Sequence, residues 1–369
     1  MGLLDKVAQF TAARELQAAG LYHYFRVIES AQENTVRING REVIMLGSNN
    51  YLGLTNHPLV KERAKQALDK YGSGCAGSRL LNGTLDIHIE LEEKLASLVG
   101  KEKALVFSTG FMVNQGVLYA LVGRNDTAIV DRTDHASIID GTRLSFGQVK
   151  KFKHNDMASL EQTLGTCDTN GKLVIVDGVF SMHGDIAKVP EILDIADKHD
   201  AMLMIDDAHG VGVLGKQGRG TADHFDVTDR VPLIMGTFSK SLASVGGFIA
   251  SDAETIHYIQ HMARSLIFSA SMPPASCASV SAAVDVMLEE DWRLTQLWSN
   301  TEVMMERLQG AGFDTGPSST PIIPVVIGED MMAFQMCSRL FEEGVFVNSV
   351  VSPAVEKGDA LIRLSLMAT

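Results

Sequence analysis

The sequence contains few cysteines and fewer basic than acidic residues, and each shortage excludes a class of protein. Only four cysteines occur among the 369 residues, with no C-x-x-C pair and no histidine spacing that suggests zinc. They indicate reduced, buried thiols in a cytosolic protein rather than a disulfide framework. The formal net charge of −13 argues against a non-specific nucleic-acid binder, although an anionic substrate could still bind to a local basic patch.

Long apolar runs are missing as well. The segment from Met1 to Lys6 lacks the apolar core of a signal peptide, and no run is long enough to span a bilayer. We therefore expect a cytoplasmic protein. The 17 methionines and the positive mean hydropathy leave room for an apolar interface or substrate channel, so peripheral contact with a membrane stays open.

The pattern of apolar residues divides the chain into three parts. Residues 1–47 predict an amphipathic helix over about the first 30 positions, followed by a β-hairpin with its turn at Asn39-Gly40. Residues 48–292 alternate strands with helices, which predicts an α/β domain with a large, mainly parallel sheet. Residues 293–369 predict a smaller α+β domain, and the sequence stops within an apparent edge strand, so we expect the natural chain to continue.

Polar side chains follow four predicted strands of the large domain, at the point where each strand ends. In sheets of this kind ligands bind outside the carboxyl ends of the strands, so these side chains are expected to surround one site. The strands are 127–130, 173–176, 202–205 and 233–235. The side chains that follow them are Asp131, Asp134, His135 and Ser137; Asp177, Ser181, His183 and Asp185; Asp206, Asp207 and His209; and Thr237, Ser239 and Lys240.

The lysine of this set, Lys240, comes a few residues after the buried strand 233–235. Removing an ammonium group from water is costly, so a lysine held there usually has a lowered pKa and serves as an amine nucleophile in Schiff-base chemistry. A single strand-end lysine is more often an ordinary surface residue. Here Thr237 and Ser239 lie beside it and could donate hydrogen bonds to phosphate oxygens. The polar side chains at the ends of the other strands also support the functional interpretation.

Three of the other strand-end side chains suit a ring cofactor. Asp206 could pair with a pyridine nitrogen and keep it protonated, which makes pyridoxal phosphate a strong electron sink. His209 would lie near the ring oxygen, and His135 is a flat group that could stack on the ring. The sequence therefore predicts pyridoxal 5'-phosphate, bound through Lys240.

Two small-residue turns supply candidate phosphate sites. Gly110 and Phe111 lie between the predicted strand 104–107 and a helix, where unpaired N–H groups and the helix dipole favour an anion. Ser269 and Ser271 precede prolines at another helix start, where a hydroxyl can cap the helix or contact a phosphate.

Two G-x-G-x-x-G matches, at 72–77 and 210–215, do not indicate a dinucleotide site. The first follows a helix rather than a strand, and the second runs into a glycine-rich segment that cannot continue as the required helix. Both are expected to be loops that need glycine for positive φ angles or close backbone approach.

Taken together, the motifs closely resemble the α-oxoamine synthases, the fold-type I pyridoxal-phosphate enzymes that condense an amino acid with an acyl-CoA and release CO2. The likeness extends over essentially the whole chain, and the combination of motifs is highly specific. The segments that carry it are 48–54 (SNNYLGL), 108–111 (STGF), 134–137 (DHAS), 180–182 (FSM), 206–210 (DDAHG) and 236–244 (GTFSKSLAS).

The resemblance implies a role for each matching position. Lys240 forms the internal aldimine and then acts as the base at Cα, while His135 stacks on the ring and touches the substrate carboxylate. The other cofactor-binding residues are Asp206 at the ring nitrogen, His209 and Ser181 at the ring oxygen, and Gly110, Phe111, Thr237 and Ser239. Ser269 and Ser271 reach the phosphate of the neighbouring subunit, which implies a homodimer with shared active sites. The residues that bind the amino-acid carboxylate are Asn49 and Arg363.

Within the family, the segment 236–244 is most similar to members that condense L-serine with a long-chain acyl-CoA to a 3-keto sphingoid base. Relatives of the 8-amino-7-oxononanoate synthase and glycine C-acetyltransferase types carry a glycine before the lysine instead of Ser239. Use of glycine or alanine with another acyl group, on CoA or on a carrier protein, therefore stays open as an alternative.

Two more distant alternatives belong to other classes. A fold-type I aminotransferase would exchange an amino group with a keto acid and release no CO2, but it gives no reason for the acyl-side motifs. A non-catalytic binding subunit would need no reactive amine, and the presence of Lys240 argues against it.

Overall fold

In the computed structural model, which describes residues 2–369, the chain begins with two short helices, α1 (Leu3–Ala8) and α2 (Ala12–Ala18). The sequence predicted one helix over about the first 30 residues, and this prediction was wrong. The helical pattern ends because Gly20 and Phe25 adopt positive φ angles of 70° and 55°, which a right-handed helix cannot contain. Neither helix contains a buried residue, and the large apolar side chains of Leu3, Leu4, Val7 and Phe10 are exposed.

The predicted hairpin is confirmed and forms part of a three-stranded sheet. Strands β1 (Thr35–Ile38) and β2 (Arg41–Met45) pair antiparallel across Asn39 and Gly40. Both turn residues have positive φ angles, 51° and 71°, as a type I′ turn requires. The third strand comes from the far end of the chain, since Val345–Phe346 pairs parallel with β2.

A seven-stranded sheet forms the centre of the large domain. Its strands are β3 (Lys103–Phe107), β4 (Asp126–Asp131), β5 (Gln148–Phe152), β6 (Gly171–Asp177), β7 (Met202–Asp206), β8 (Leu233–Thr237) and β9 (Gly247–Ser251). Their order in space is β3-β9-β8-β7-β6-β4-β5, and β4 to β8 are parallel. Only β9 runs in the direction opposite to the other six strands, so the mainly parallel sheet predicted from the sequence is confirmed.

Strand β9 was missed by the sequence analysis. It follows two glycines, of which Gly246 has a φ angle of 134°. A Cβ atom on Gly247 would lie 2.7 Å from the Cα atom of Gly110. The glycines therefore let the chain reverse and pass close to a neighbouring backbone, and no periodic pattern of apolar residues signals such a reversal.

Helices cover both faces of the central sheet. They are α3 (Pro58–Tyr71), α4 (Asp86–Leu98), α5 (Gly110–Leu121), α6 (Ala136–Leu144), α7 (Met157–Gly165), α8 (Val189–Lys198), α9 (Thr221–His224), α10 (Ala253–Met262), α11 (Arg264–Ile267) and α12 (Pro274–Glu289). Strand residues alternate between two apolar cores, so Ile129 packs into one core while Ala128 and Val130 pack into the other. Burial on both faces explains why these strands are continuous apolar runs. No helix within residues 2–369 has the length and apolar character needed to cross a bilayer.

The C-terminal part is a smaller α+β unit, as predicted. Its elements are α13 (Trp292–Gly310), β10 (Ile322–Gly328), α14 (Asp330–Glu342), β11 (Val345–Phe346), β12 (Asn348–Val350) and β13 (Ala360–Ser365). Strand β13 lies between β10 and β12 and is antiparallel to both. The prediction of a final edge strand was therefore wrong, and the pairing on both sides explains why every residue of β13 is buried. The domain boundaries at 47/48 and 292/293 stay a prediction.

Candidate active site

A cavity of about 320 Å³ lies at the carboxyl ends of β6, β7 and β8. Most of the site residues predicted from the sequence line it, although they come from segments that are far apart in the chain. They are Gly110, Phe111, His135, Ser181, Asp206, His209, Thr237, Ser239 and Lys240. The fold thus brings the polar strand ends together at one place, as expected for a parallel α/β sheet.

The amine of Lys240 faces this cavity from the turn after β8. Burial lowers the pKa of Lys240 to about 8, although the carboxylates of Asp206 and Asp177 act in the opposite direction. Arg363 lowers this pKa further through its positive charge. Roughly a tenth of the amine is therefore unprotonated at pH 7, and this is the form that attacks a carbonyl or accepts a proton.

The carboxylate of Asp206 is held from both sides at the end of β7. Asn114 donates from its amide nitrogen to Asp206 Oδ2 at 2.7 Å, and the backbone N–H of Ala208 donates to Oδ1 at 3.1 Å. These two hydrogen bonds hold the carboxylate group in one orientation. Asp177 lies in the same cavity, and there burial, followed by the charge of Asp206, raises the pKa well above its usual range. Asp206 therefore presents an oriented carboxylate that can accept a hydrogen bond from a protonated ring nitrogen.

The imidazole of His135 is fixed at the start of α6. Its Nδ1 lies 2.7 Å from Ser137 Oγ and accepts a hydrogen bond from the Ser137 backbone N–H at 3.2 Å. The second amide hydrogen of Asn114 goes to the same Ser137 Oγ at 2.8 Å, so the hydroxyl proton is directed to His135 Nδ1. Burial lowers the pKa of His135. The charge of Asp206 raises this pKa and the charge of Lys240 lowers it, so that the net shift is downward. A neutral, oriented ring therefore faces the cavity.

The N-terminal turn of α5 packs tightly against the end of β8. Thr109 caps the helix by accepting from the Met112 backbone N–H. A Cβ atom on Gly110 would lie 2.6 Å from Thr237 Oγ1, so only glycine leaves this space open. Thr237 Oγ1 in turn lies 3.1 Å from Ser239 Oγ. Backbone N–H groups and two hydroxyls thus converge at one end of the cavity, an arrangement suited to a phosphate group.

Arg363 and Asn49 lie beside the cavity rather than in its lining. Arg363 is 6 % exposed and comes from β13 of the C-terminal part. Its guanidinium donates to Asn49 Oδ1 at 3.1 Å, to Ser365 Oγ at 2.5 Å and to the carbonyl of Ser181 at 2.5 Å. Within residues 2–369 these acceptors are all neutral, so a buried positive charge is available for an incoming carboxylate.

The two serines predicted at the phosphate do not line this cavity within the single chain. Ser271 is buried, its backbone N–H donates to Gly77, and its hydroxyl has no hydrogen-bond partner among residues 2–369. Ser269 is half-buried beside Ala270, whose carbonyl accepts from Ser108. Their contact with the phosphate of a neighbouring subunit stays a prediction.

Two residues of the site were missed by the sequence analysis. Tyr51 is 1 % exposed, and its hydroxyl lies 2.7 Å from His209 Nδ1. Asn114 is fully buried and contacts Asp206 and Ser137. A signal existed for Asn114, because it is a polar residue four positions after Gly110 in a largely apolar helix, and therefore lies on the same face. Tyr51 was included only as part of the motif at residues 48–54, without a role of its own.

Comparison with known proteins places this site in a family. The family model of class I and II aminotransferases matches residues 41–369. The chain therefore belongs to that family and, within it, to the α-oxoamine synthases, as the motifs predicted. The fold it shares with them is the fold-type I architecture of a large sheet domain and a smaller C-terminal domain.

Its relatives define the subfamily more narrowly. The chain is 54 % identical to a serine palmitoyltransferase from Sphingobacterium spiritivorum, over 100 % of this chain and 92 % of the relative. It is 45 % identical to an 8-amino-7-oxononanoate synthase from Thermoanaerobacter pseudethanolicus, over 96 % of this chain and 90 % of the relative. The solved structure of the Sphingomonas wittichii serine palmitoyltransferase matches with a TM-score of 0.96 at 37 % identity, covering 100 % of this chain and 94 % of that one.

Proposed function

We propose that the protein is a pyridoxal-phosphate-dependent acyltransferase that condenses L-serine with a long-chain acyl-CoA. The products are a 3-keto sphingoid base, CO2 and CoA. The observation that carries the proposal is the buried amine of Lys240, which faces one cavity together with Asp206 and His135. Four relatives named serine palmitoyltransferase, at 52–54 % identity over nearly the whole chain, support serine and a long-chain acyl group as the substrates.

Pyridoxal phosphate fits the donors of the cavity. Lys240 offers an amine to the aldehyde of the cofactor, and Asp206 offers a carboxylate to its ring nitrogen. His135 offers a flat ring that could stack on the face of the cofactor. The space that a Cβ on Gly110 would fill lies beside Thr237, where phosphate oxygens would find donors. A solved serine palmitoyltransferase structure with the same fold, at 34 % identity, is described as containing the PLP internal aldimine. When bound, this cofactor stabilises the electron pair released at Cα of the amino acid.

The residues of this chain bind and orient the amino acid before the chemical step. Arg363 is placed to pair with its carboxylate, since the guanidinium now has only neutral acceptors. His135, neutral and fixed through Ser137, presents its ring to the cavity and confines the amino acid on that side. The Lys240 amine, with a pKa of about 8, is the base that takes the Cα proton and later returns one to the product.

We further propose a cytoplasmic homodimer in which each active site uses residues of both subunits. Large apolar side chains near the cavity are exposed in the single chain, with Phe268 71 % and Val245 59 % accessible. Phe268 precedes Ser269 and Ser271, the two serines that lie outside the cavity of their own chain. Analytical ultracentrifugation tests the assembly, and a dimer that remains fully active after Ser269→Ala and Ser271→Ala would contradict shared sites.

Measurement of CoA release tests the substrate assignment. The enzyme is supplied with L-serine, glycine or L-alanine, each combined with palmitoyl-CoA, acetyl-CoA or pimeloyl-CoA. The proposal requires the highest kcat/KM for L-serine with palmitoyl-CoA and one CO2 per CoA released. A preference for alanine with pimeloyl-CoA would indicate the 8-amino-7-oxononanoate synthase type instead, and amino-group exchange without CO2 release would indicate an aminotransferase.

A further inference from the structure

The imidazole of His209 is held by a side chain that none of the predicted roles includes. His209 and Tyr51 are both buried, and Tyr51 Oη lies 2.7 Å from His209 Nδ1. The two rings meet edge to face, with centroids 6.0 Å apart. His209 lines the cavity, whereas its other nitrogen, Nε2, has no hydrogen-bond partner among residues 2–369. Nδ1 therefore faces Tyr51, and Nε2 is left free for a ligand of the cavity.

The position of the proton between the two rings follows from counting donors and acceptors. The Tyr51 hydroxyl has one proton and two possible acceptors, His209 Nδ1 at 2.7 Å and Asn49 Oδ1 at 3.4 Å. Asn49 Oδ1 already accepts from Arg363 at 3.1 Å and from the Ser365 hydroxyl at 3.4 Å. A carbonyl-type oxygen has two lone pairs, so Nδ1 is the acceptor that remains for Tyr51.

The charge state of His209 follows from its surroundings. Burial lowers the pKa of His209 well below its usual value, and the positive charges of Lys240 and Arg363 act in the same direction. The ring is therefore neutral and carries one proton. Since Nδ1 accepts from Tyr51, this proton resides on Nε2, the nitrogen that faces the cavity.

We propose that Tyr51 is a positioning residue that fixes His209 as the Nε2–H tautomer, so that His209 donates a hydrogen bond into the cavity. The proposal deepens the proposed function and rests on it, since an Nε2–H donor is what a ring oxygen of the cofactor requires. Without Tyr51, the neutral imidazole is free to place its proton on either nitrogen, and one of the two tautomers presents an acceptor instead of a donor.

The same contacts connect His209 to the predicted carboxylate site. Asn49 Oδ1 is shared, since Arg363 donates to it and the Tyr51 hydroxyl lies 3.4 Å away. The positive charge of Arg363 also opposes the rise that burial imposes on the pKa of Tyr51. Tyr51 thus lies between the group proposed to bind the amino-acid carboxylate and the group proposed to contact the cofactor, although it does not line the cavity itself.

The test is 15N NMR of the full-length protein labelled at histidine, recorded with and without pyridoxal phosphate. The signals of a protonated and an unprotonated ring nitrogen are well separated, so each tautomer can be identified. His209→Gln assigns the signal of residue 209. The variant is Tyr51→Phe, and the matched control is Tyr258→Phe, which removes the hydroxyl of a tyrosine that is 48 % exposed.

We expect Nε2–H in the wild type and in Tyr258→Phe, and a mixture of both tautomers in Tyr51→Phe. A wild-type His209 that is protonated on Nδ1 overturns the proposal, whether or not Tyr51→Phe folds. A correctly folded Tyr51→Phe with an unchanged tautomer overturns it as well. Both NMR measurements are made without turnover, so they test the tautomer of His209 independently of the reaction. If the wild type failed to condense serine with palmitoyl-CoA, that failure would contradict the proposed function alone.

Kinetics supply a second readout that a purely structural role would not give. Tyr51→Phe is expected to lower kcat about tenfold, the effect of one lost hydrogen bond, with little change in KM for L-serine. Tyr258→Phe should retain both constants. A Tyr51→Phe enzyme with wild-type kcat and the wild-type absorbance spectrum of the bound cofactor would contradict the proposal.

Discussion

Asn114 donates a hydrogen bond to Asp206 at 2.7 Å, and with its second hydrogen it reaches Ser137 at 2.8 Å. Ser137 in turn holds His135. One buried amide on α5 therefore orients both groups proposed to contact the cofactor ring, Asp206 at its nitrogen and His135 on its face. Because all of these side chains are buried or partly buried, water cannot readily replace the lost contacts.

Asn114→Leu removes this amide at nearly constant volume. Hydrogen bonds to charged groups are the stronger ones, so we expect the dissociation constant of pyridoxal phosphate to rise by about 10- to 100-fold. Titration of the cofactor-free protein, followed by absorbance, measures this change. Asn170→Leu, at an exposed turn, is the control and should bind as the wild type does. Wild-type affinity in a folded Asn114→Leu protein would show that Asp206 needs no support from Asn114.

Arg363→Lys tests the proposed carboxylate site. Lysine keeps the positive charge but loses the planar fork that donates to Asn49, Ser365 and Ser181. We expect KM for L-serine to rise by about 10- to 100-fold, with a smaller effect on KM for palmitoyl-CoA. Steady-state kinetics with each substrate varied separately give both values. Arg339→Lys, at an exposed position of α14, is the matched control, and equal effects of the two variants would rule out the assignment.

The lowered pKa of Lys240 predicts how capture of the cofactor depends on pH. Only the neutral amine attacks an aldehyde, and with a pKa of about 8 roughly a tenth of it is neutral at pH 7. The rate at which the cofactor-free protein captures pyridoxal phosphate should therefore rise about tenfold per pH unit well below pH 8 and level off above it. Stopped-flow absorbance measures this rate. A rate that still rises steeply between pH 9 and 10 would indicate an ordinary lysine.

His154 predicts a pH dependence of stability outside the cavity. Its ring nitrogens lie 3.1 Å from Asp131 and 3.0 Å from Asp185. Burial alone would lower the pKa of His154, but these hydrogen bonds outweigh it and raise the pKa to about 9. A raised pKa means that the folded state binds the proton more tightly than the unfolded state. The stabilisation is therefore complete below the unfolded value of 6.5 and is lost as the pH rises through 9.

His154→Gln should accordingly lower the free energy of unfolding by about 3 kcal/mol at pH 6 and by much less at pH 10. Urea unfolding of the cofactor-free protein at the two pH values measures the difference. His257→Gln, at an exposed position of α10, serves as the control. If His154→Gln destabilised the protein equally at both pH values, packing against Phe180 rather than charge would explain the role of His154.

Much of the site could be predicted because parallel strands all end at one edge of a sheet. Ser181, Asp206 and Lys240 follow three different strands, and the topology alone brings them into one cavity. Asn114 and Tyr51 were harder to find, because their role depends on which helix face and which loop pack against that edge. Their importance lies in contacts of 2.7 Å, which sequence spacing does not encode.

The errors in the fold have a similar cause. Strand β9 begins at two glycines, and its place between β3 and β8 depends on the close approach of Gly247 to Gly110. Strand β13 was expected at an edge, yet it pairs on both sides. Apolar periodicity indicates that a segment is buried and extended, but pairing partners far away in the chain decide its place in the sheet.

In the proposed reaction, the amine of residue 240 carries the cofactor. Reducing the loaded enzyme with borohydride, digesting it and analysing the peptides by mass spectrometry locates the lysine that is modified. We expect one pyridoxyl group per chain, on Lys240, and the same result for the control Lys216→Ala, which changes an exposed lysine. A pyridoxyl group on another lysine of the wild type, or an active, yellow Lys240→Ala enzyme, would show that Lys240 does not bind the cofactor.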